Sequence, residues 1–321
     1  MLVAVLMAQD VEFVFDRAPF ASCHASTIVE TSPGEFLAAW FGGSDEGKPD
    51  VAIWGARRSK TGWTEPVELA REPDIATYNP VLFSTSDKTL WLYYKFGPSP
   101  RAWTGARRSS NDGGRTWSAI DHLPAGLYGP IKNKPLVLAD GAVVSGVSVE
   151  SYHAWSAWVE RSGDGGRTWT KHGPIVVPGQ PYGVIQPALV RLRDGRLRMY
   201  LRSTELIRRI CYADSSDAGR TWTPAKPTDL PNPNSGIDAV TLRDGRILLV
   251  YNRTEKGRSP LNVAVSNDGD RWNSFYILES EPGEFSYPAV IQASGGEVHI
   301  TYTWNRSKIR HVVLPLEAIP K

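Results

Sequence analysis

The fold is decided by one stretch, Ser162-Gly163-Asp164-Gly165-Gly166-Arg167-Thr168-Trp169, whose pattern Ser-x-Asp-x-Gly-x-Thr-Trp returns along the chain. Complete copies begin at Ser110 and Ser215, and degraded copies begin at Ser59 and Ser266. Successive serines are 51 to 53 residues apart. A fixed period of this size indicates a repeat architecture.

Each period has the same internal order of short apolar runs and turns. The fourth period shows it clearly: Pro187–Leu192, the turn Asp194-Gly195, then the runs 197–201 and 210–213 before the motif. Short runs divided by Asp-Gly turns predict β-hairpins. No stretch sustains an apolar period of 3.6 residues, so helices should be few.

Six such units fit the chain, and together they predict an all-β protein. The sixth unit has three strands and no Ser-x-Asp motif, whereas the run Val11–Phe15 has no unit of its own. We therefore expect that run to supply the missing strand and to close a ring. The prediction is one domain over residues 1–321, a six-bladed β-propeller of four-stranded antiparallel blades. The units begin near Ala25, Pro80, Pro135, Pro187, Ala239 and Pro288.

The Ser-x-Asp motif itself is interpreted as structural. It lies between the third and fourth predicted strands, where an aspartate can accept hydrogen bonds from the amides of its own turn. The glycine permits a positive φ, and the tryptophan can pack between strands. An aspartate that recurs on every blade does not suit a catalytic role, which is needed only once.

Composition excludes some classes of function. The chain has 321 residues, a net charge of +2 and scattered Lys and Arg, so we expect neither nucleic acid nor a membrane as partner. The two cysteines, Cys23 and Cys211, have no metal-binding spacing, and no cofactor is predicted. The apolar run Leu2–Ala8 fits a trimmed signal peptide as well as a first strand, so cytoplasmic and periplasmic or secreted locations remain equal alternatives. The oligomeric state is not indicated.

A polar residue stands immediately before each predicted inner strand. Equivalent starts of inner strands surround one mouth of the central channel of a propeller, and converging polar groups are typical of a ligand site. The six residues are His24, Asn79, Lys134, Gln186, Asp238 and Tyr287.

Further polar residues flank the same strands, and several of them are cations. Cations at a channel mouth suggest an anionic ligand, and guanidinium groups favour a carboxylated sugar. The predicted substrate-binding residues are Arg202, Arg258, Lys95, Lys132, Lys134, Asn79, Asn234, Asp238 and Arg310, with Arg306 as a further cation.

The three complete motifs and the six units resemble the sialidase (neuraminidase) superfamily over nearly the whole chain. The resemblance implies an exo-α-sialidase-like glycosidase acting on the anionic terminal sugar of a glycan. It implies that Tyr287 is the nucleophile, since it precedes the last inner strand. It also implies that Arg202 and Arg258 are the second and third of three carboxylate-binding arginines, and that Asp50, with Asp45 in reserve, is the acid/base.

Two positions depart from that family pattern. Where the family has its first arginine, the chain reads Cys23-His24-Ala25, and the glutamate partner of the tyrosine falls on Gln186. A tyrosine with an ordinary pKa of about 10 needs a base to become a nucleophile, and glutamine cannot accept its proton. Alternative bases in this sequence are Glu205, Glu150 and Asp238.

The departures leave other functions open. His24 either replaces the missing arginine or acts as a base. As a base beside Tyr287, it would suit a polysaccharide lyase that removes the C5 proton of a uronic acid. A non-catalytic glycan-binding propeller is the third alternative, and His153 is a further residue that could reach the site.

Overall fold

The computed structural model describes residues 10–321. The apolar run Leu2–Ala8, with its two interpretations, lies outside the described residues. Two short 3-10 helices, Pro100–Ala102 and Leu316–Ala318, are the helical elements between residues 10 and 321. None of the helices in this range is long and apolar enough to cross a membrane.

Six antiparallel sheets form between residues 10 and 321, and each is one blade. The first strand, β1 (Asp10–Phe13), belongs to the sixth blade. Blade 1 comprises β2 (Ser22–Ser32), β3 (Glu35–Gly43), β4 (Ala52–Ser59), β5 (Gly62–Trp63) and β6 (Val67–Ala70). Blade 2 comprises β7 (Thr77–Ser84), β8 (Leu90–Phe96), β9 (Thr104–Ser110) and β10 (Asp121–His122). Blade 3 comprises β11 (Leu136–Val137), β12 (Val143–Glu150), β13 (Trp155–Ser162) and β14 (Thr170–Ile175). Blade 4 comprises β15 (Val184–Arg191), β16 (Leu197–Ser203), β17 (Arg209–Ser215) and β18 (Lys226–Pro231). Blade 5 comprises β19 (Asp238–Thr241), β20 (Ile247–Asn252), β21 (Leu261–Ser266) and β22 (Asn273–Glu279). Blade 6 comprises β23 (Phe285–Gln292), β24 (Val298–Trp304), β25 (Lys308–Leu314) and β1.

The predicted propeller and its closure are confirmed. Strand β1 pairs with β25 in antiparallel register, from Asp10 opposite Val313 to Phe13 opposite Arg310. The N-terminal run therefore supplies the outer strand of the last blade. Closing the ring in this way leaves only short blade edges exposed to unwanted pairing.

The central strands of the blades are buried on both faces, because each blade is packed between two others. Every residue of β16 and of β20 is buried. Such strands read as nearly continuous apolar runs rather than as an alternation of apolar and polar residues. This sandwiching accounts for runs such as Ile247–Tyr251, which hold the blades at a fixed angle round the axis.

The Ser-x-Asp motif closes on itself, as predicted. The Oγ of Ser162 donates to Oδ1 of Asp164 at 2.7 Å and accepts from the amide of Gly166 at 2.8 Å. The same carboxylate accepts from the amide and the hydroxyl of Thr168, at 2.9 and 2.6 Å. These hydrogen bonds, those from Thr168 first, hold the pKa of Asp164 well below its usual range. The motif is a self-satisfied turn.

Each complete motif also receives an arginine from the preceding blade. Arg57 of blade 1 donates to the carbonyl oxygen of Gly113 at 2.7 Å, and Arg161 of blade 3 donates to that of Ala218 at 3.2 Å. The motifs therefore join neighbouring blades as well as their own strands.

Blade 3 departs from the others at its centre. Its innermost strand, β11, has two residues, and the preceding segment Pro130–Lys134 reaches across the central channel. Nζ of Lys132 donates to the carbonyl oxygens of Ile237 and Pro288, in blades 5 and 6. The segment forms a buried floor beneath one mouth of the channel.

Candidate functional site

Part of the predicted ring of polar residues lies where the inner strands depart from regular β structure. Strands β2, β7, β15 and β23 begin earlier than predicted, and the register shifts within each of them. Asn79, Gln186 and Tyr287 lie at these shifts with φ of 42°, 54° and 52°. Such bulges redirect side chains, and left-handed non-glycine residues concentrate at functional sites.

A cleft of about 290 Å³ opens at this mouth. Its polar lining comes from all six blades, and aromatic rings of Trp103 and Trp155 form part of its wall. The lining residues are Glu46, Asn79, Pro100, Trp103, Glu150, Trp155, Ile185, Gln186, Arg202, Arg258, Tyr287 and Arg306.

Tyr287 is at the centre of the cleft and its hydroxyl is bound by an arginine. Nη1 of Arg202 donates to that oxygen at 2.6 Å, and Nε2 of Gln186 lies 3.5 Å from it. The same Arg202 nitrogen also donates to Oε1 of Gln186 at 3.2 Å. The guanidinium of Arg202 therefore places a positive charge directly on the oxygen of Tyr287.

The side-chain amide of Asn234 holds Arg202 in place. Its Nε donates to Oδ1 of Asn234 at 2.8 Å, and Nδ2 of Asn234 donates to Glu205 at 3.2 Å. Asn234, predicted to bind substrate, therefore positions Arg202. Glu205 is exposed and lies behind Asn234, away from the Tyr287 hydroxyl.

Arg258 lies near the ring of the tyrosine. Its guanidinium carbon is 5.4 Å from the centre of the Tyr287 ring. Nη1 donates to Glu284 at 2.6 Å and to the Ser286 hydroxyl at 3.2 Å. The carboxylate of Glu284 therefore orients Arg258 toward the cleft.

A third arginine, Arg306, comes from the turn between β24 and β25. Asn305 and Arg306 have φ of 48° and 51°, the backbone of a type I′ turn. The carbonyl oxygen of Arg306 accepts from the amide of Cys23 at 2.7 Å, so the residue stands beside Cys23-His24. Its Nε lies 3.0 Å from both oxygens of Glu284. Blade 6 therefore provides a guanidinium at the place where the resemblance implied one from blade 1.

His24 is a neutral ring beneath Tyr287. The two ring centres are 4.2 Å apart, and neither imidazole nitrogen has a hydrogen-bond partner among the described residues. Burial, followed by the charges of Arg306 and other cations, holds the pKa of His24 well below its usual range. A neutral imidazole cannot bind a carboxylate as an arginine would.

The three predicted lysines are in the floor rather than in the cleft, so their assignment to substrate binding was wrong. Nζ of Lys95 donates to the carbonyl oxygen of Pro130 at 2.9 Å, and Lys132 is bound as described above. Burial lowers the pKa of each of these two lysines to about 7. Nζ of Lys134 lies 2.8 Å from Oδ2 of Asp238, an oxygen that also accepts from the amide of Val290. Asp238 is therefore structural as well.

Asp50 and Arg310 lie outside the cleft. The carboxylate of Asp50 is exposed and accepts from the amide and the hydroxyl of Ser44, at 2.7 and 2.8 Å. The Ser44 hydroxyl, together with its amide, lowers the pKa of Asp50. Arg310 is in the outer part of blade 6, with its guanidinium 4.8 Å from the ring centre of Phe13. Asp45 is on the exposed loop, where it accepts from the amide of Glu46.

Two carboxyl groups of the described chain do line the cleft, Glu46 and Glu150. Glu150 follows Ser148 by two residues on β12, and the Ser148 hydroxyl accepts from the amide of Gln186 at 2.7 Å. Glu150 is therefore on the wall next to Gln186, and burial raises its pKa despite the nearby charges of Arg202 and Arg101. His153 is exposed on the loop beyond it.

Between residues 10 and 321 there is no group of three or more His, Cys, Asp or Glu side chains arranged to hold a metal ion. The cleft instead collects three guanidinium groups, one tyrosine and two carboxyl groups.

Comparisons with known proteins agree with this architecture. The model of the BNR repeat-like domain matches residues 34–300. Comparison with curated proteins gives no match.

Solved structures share the fold at low identity. A protein of unknown function from Dyadobacter fermentans is 17% identical, with a TM-score of 0.82, over 96% of this chain and 98% of that one. The NanB sialidase from Streptococcus pneumoniae is 14% identical, with a TM-score of 0.78, over 98% and 71%. An intramolecular trans-sialidase from Ruminococcus gnavus is 14% identical, with a TM-score of 0.77, over 97% and 98%. At these identities the likeness establishes the propeller fold.

Proposed function

The chain belongs to the BNR repeat-like domain family, and on that premise we propose that it is a glycoside hydrolase of sialidase type, which removes a terminal carboxylated sugar from a glycan. One observation carries the proposal: Arg202, Arg258 and Arg306 converge from three blades around the hydroxyl and ring of Tyr287. Proteins named as sialidases share this fold. The placement of cations beside a buried tyrosine supports the same chemistry here.

The three arginines form the carboxylate site in this proposal. Guanidinium groups bind carboxylates with two parallel hydrogen bonds, which fixes the orientation of the sugar as well as its charge. Arg306 completes the set in place of the arginine that is missing near His24. The lysines of the floor are excluded from this role because their amino groups are already bound to backbone oxygens.

Tyr287 acts as the nucleophile in the first step. Its phenolic oxygen bonds to the anomeric carbon as the bond from that carbon to the leaving oxygen breaks, and a water molecule later cleaves the sugar–tyrosine bond. Arg202 stabilises the phenolate. Glu150 is assigned as the base that accepts the tyrosine proton, since Gln186 cannot do so and burial raises the pKa of Glu150 toward the working range of a base.

The leaving oxygen needs a proton, and Asp50 does not face the cleft. We assign this role to Glu46, which is on the same loop but lines the cleft from blade 1. In a glycosidase with a tyrosine nucleophile, a carboxylic acid is still needed to protonate the leaving oxygen, and Glu46 is assigned that part.

The alternatives are less well supported by the geometry. A uronate lyase would need a base that reaches the ligand, and His24 is buried beneath Tyr287, outside the lining of the cleft. A purely glycan-binding protein would have no use for an arginine held on a tyrosine hydroxyl.

The test is a screen of aryl sialosides and uronate-terminated oligosaccharides with both types of product measured. A hydrolase releases the free sugar acid and the aryl alcohol, whereas a lyase forms an unsaturated sugar that absorbs in the near ultraviolet. The proposal predicts the first result. Retention of glycans without either product would contradict it.

A further inference from the structure

We propose that Glu46 is a built-in competitor of the ligand, which in the free protein occupies the place on Arg306 that the carboxylate of the ligand takes. The inference rests on the proposed function, because it concerns the same carboxylate site. Oε2 of Glu46 lies 2.5 Å from Nη1 of Arg306, and both residues line the cleft. Anionic ligand binding is then an exchange of one carboxylate for another.

The two carboxylates on Arg306 are held very differently. Glu284 contacts Arg306 with both oxygens, and its Oε1 also accepts from Nη1 of Arg258 at 2.6 Å and from the Ser286 hydroxyl at 3.3 Å. Glu46 has a single contact, to Nη1 of Arg306, and its side chain is 40% exposed. Glu284 is therefore a fixed support, and Glu46 is the carboxylate that can leave.

The loop that carries Glu46 permits this movement. It connects β3 to β4, residues 44–50 are all exposed, and Gly47 has a φ of 86°. Single ion pairs on a surface are worth about 0.2–1 kcal/mol. A carboxylate bound by several guanidinium groups within the cleft gains more than that, so it displaces Glu46.

A neutral sugar gains no such compensation. Its hydroxyl groups cannot replace a carboxylate on Arg306, so Glu46 stays on Arg306 and a neutral sugar binds without that contact. Once it is displaced, the Glu46 carboxylate is free beside the sugar, where it can take up a proton from water and pass it to the leaving oxygen.

The test is calorimetric binding of N-acetylneuraminic acid and of its methyl ester, a matched anionic and neutral pair. In Glu46→Gln the competing carboxylate is gone, so the acid should bind about fivefold more tightly, whereas affinity for the ester should change by less than about twofold. Glu284→Gln should weaken binding of the acid, because it removes the support of two arginines. Weaker binding of the acid by Glu46→Gln would overturn the exchange and make Glu46 a support as well.

Asp45→Asn is the control for net charge. It removes the same charge one residue away, and its side-chain oxygen can still accept from the amide of Glu46. Equal tightening in Asp45→Asn and Glu46→Gln would overturn the proposal. A second readout needs no sugar: phenylglyoxal should label Arg306 faster in Glu46→Gln than in the wild type, as measured by peptide mass spectrometry. Unchanged labelling contradicts the exchange, whereas failure of every variant to bind the sugar acid contradicts only the proposed function.

Discussion

The two faces of the propeller differ in the range of their hydrogen bonds along the chain. The cleft lies where second strands end, as at Arg202 after most of β16, while the Ser-x-Asp motifs follow the third strands and so lie at the other end of the antiparallel blades. In the motifs each aspartate is satisfied within four residues of chain. In the cleft the Tyr287 hydroxyl is bound by an arginine 85 residues away.

This difference separates stability from function. On one face the repeated Ser-x-Asp turns are equivalent, and the hydrogen bonds of one turn can weaken without disturbing those of the others. On the opposite face three of the inner strands each contribute a different residue at a redirected backbone position, and the groups act together. Loss of one cleft residue should therefore abolish chemistry, whereas loss of one motif should only loosen the frame.

The largest expected effect is that of Tyr287→Phe. Removal of the hydroxyl removes the nucleophile and the acceptor for Arg202, so kcat for an aryl sialoside should fall by at least about 10³-fold. Thermal unfolding should be nearly unchanged, because the ring still packs on His24. Full turnover by a folded Tyr287→Phe protein would show that the site is wrongly assigned.

Arg306→Gly separates function from stability at one position. Asn-Gly is the favoured pair for a type I′ turn, so the variant should unfold at a higher temperature. At the same time KM should rise about 10- to 100-fold, since a charged hydrogen-bond donor to the carboxylate is gone. Arg310→Ala is the matched control: it lies on the outer part of the same blade and should leave KM unchanged. A raised KM in Arg310→Ala alone would contradict the placement of the site.

Glu150→Gln tests the assigned base through its pH profile. A base must be ionised, and burial raises the pKa of Glu150, so wild-type kcat should fall as pH drops through that raised pKa. In Glu150→Gln, kcat should be reduced about 10²-fold or more and should lose that acid limb. An unchanged acid limb in the variant would assign the base to another group.

The stability of the sixth blade, where β1 pairs with β25 and closes the ring, should depend on pH. Nδ1 of His311 lies 2.9 Å from Oε1 of Glu12, and its Nε2 lies 2.9 Å from Nδ1 of His299. Burial lowers the pKa of His299 from 6.5 to about 3, with a further contribution from His311. The unfolded chain takes up this proton near pH 6.5 and the folded chain only near pH 3.

The stability that comes from keeping His299 neutral is thus present above pH 6.5 and lost as pH falls toward 3. His299→Phe should flatten the decline of the unfolding temperature over this range. Phe36, which stacks on His299 with ring centres 4.0 Å apart, can stack on the new ring in the same way. A variant that declines as steeply as the wild type would rule out His299 as the source.

The smallest effect should come from the opposite face. Asp164→Ala removes the acceptor of the Thr168 and Arg167 amides and should lower the midpoint of thermal unfolding by about 2–5 °C. The kcat and KM of the folded protein should not change. A loss of activity comparable to that of Tyr287→Phe would contradict the claim that one face provides stability and the other function.

The sequence predicted one face much better than the other. The motifs, the six blades and the closing strand follow from local patterns, because each turn is satisfied by its own neighbours. The positions of Gln186, Arg202, Arg258 and Tyr287 in one cleft follow from the repeat as well. Asp50 was misjudged because Ser44, six residues away, holds its carboxylate outside the cleft.

Other features of the site depend on contacts between distant parts of the chain. The sequence named Arg306 only as a further cation, although its position in the tight turn between β24 and β25, where glycine is usual, was a signal. That it stands beside Cys23 depends on a hydrogen bond across 283 residues. Lys95 was assigned to substrate because it ends the second strand of blade 2, and Lys132 and Lys134 because they precede the predicted inner strand of blade 3. In the structure the amino groups of all three are bound within the floor instead.

The most direct test of the account is mass spectrometry of the protein quenched rapidly after mixing with an aryl sialoside. Nucleophilic attack by Tyr287 predicts a covalent sugar adduct on the peptide that contains Tyr287, formed before the free sugar acid and absent from Tyr287→Phe. Turnover to an unsaturated sugar, or release of the sugar acid with no adduct at Tyr287 at any time, would contradict the central claim.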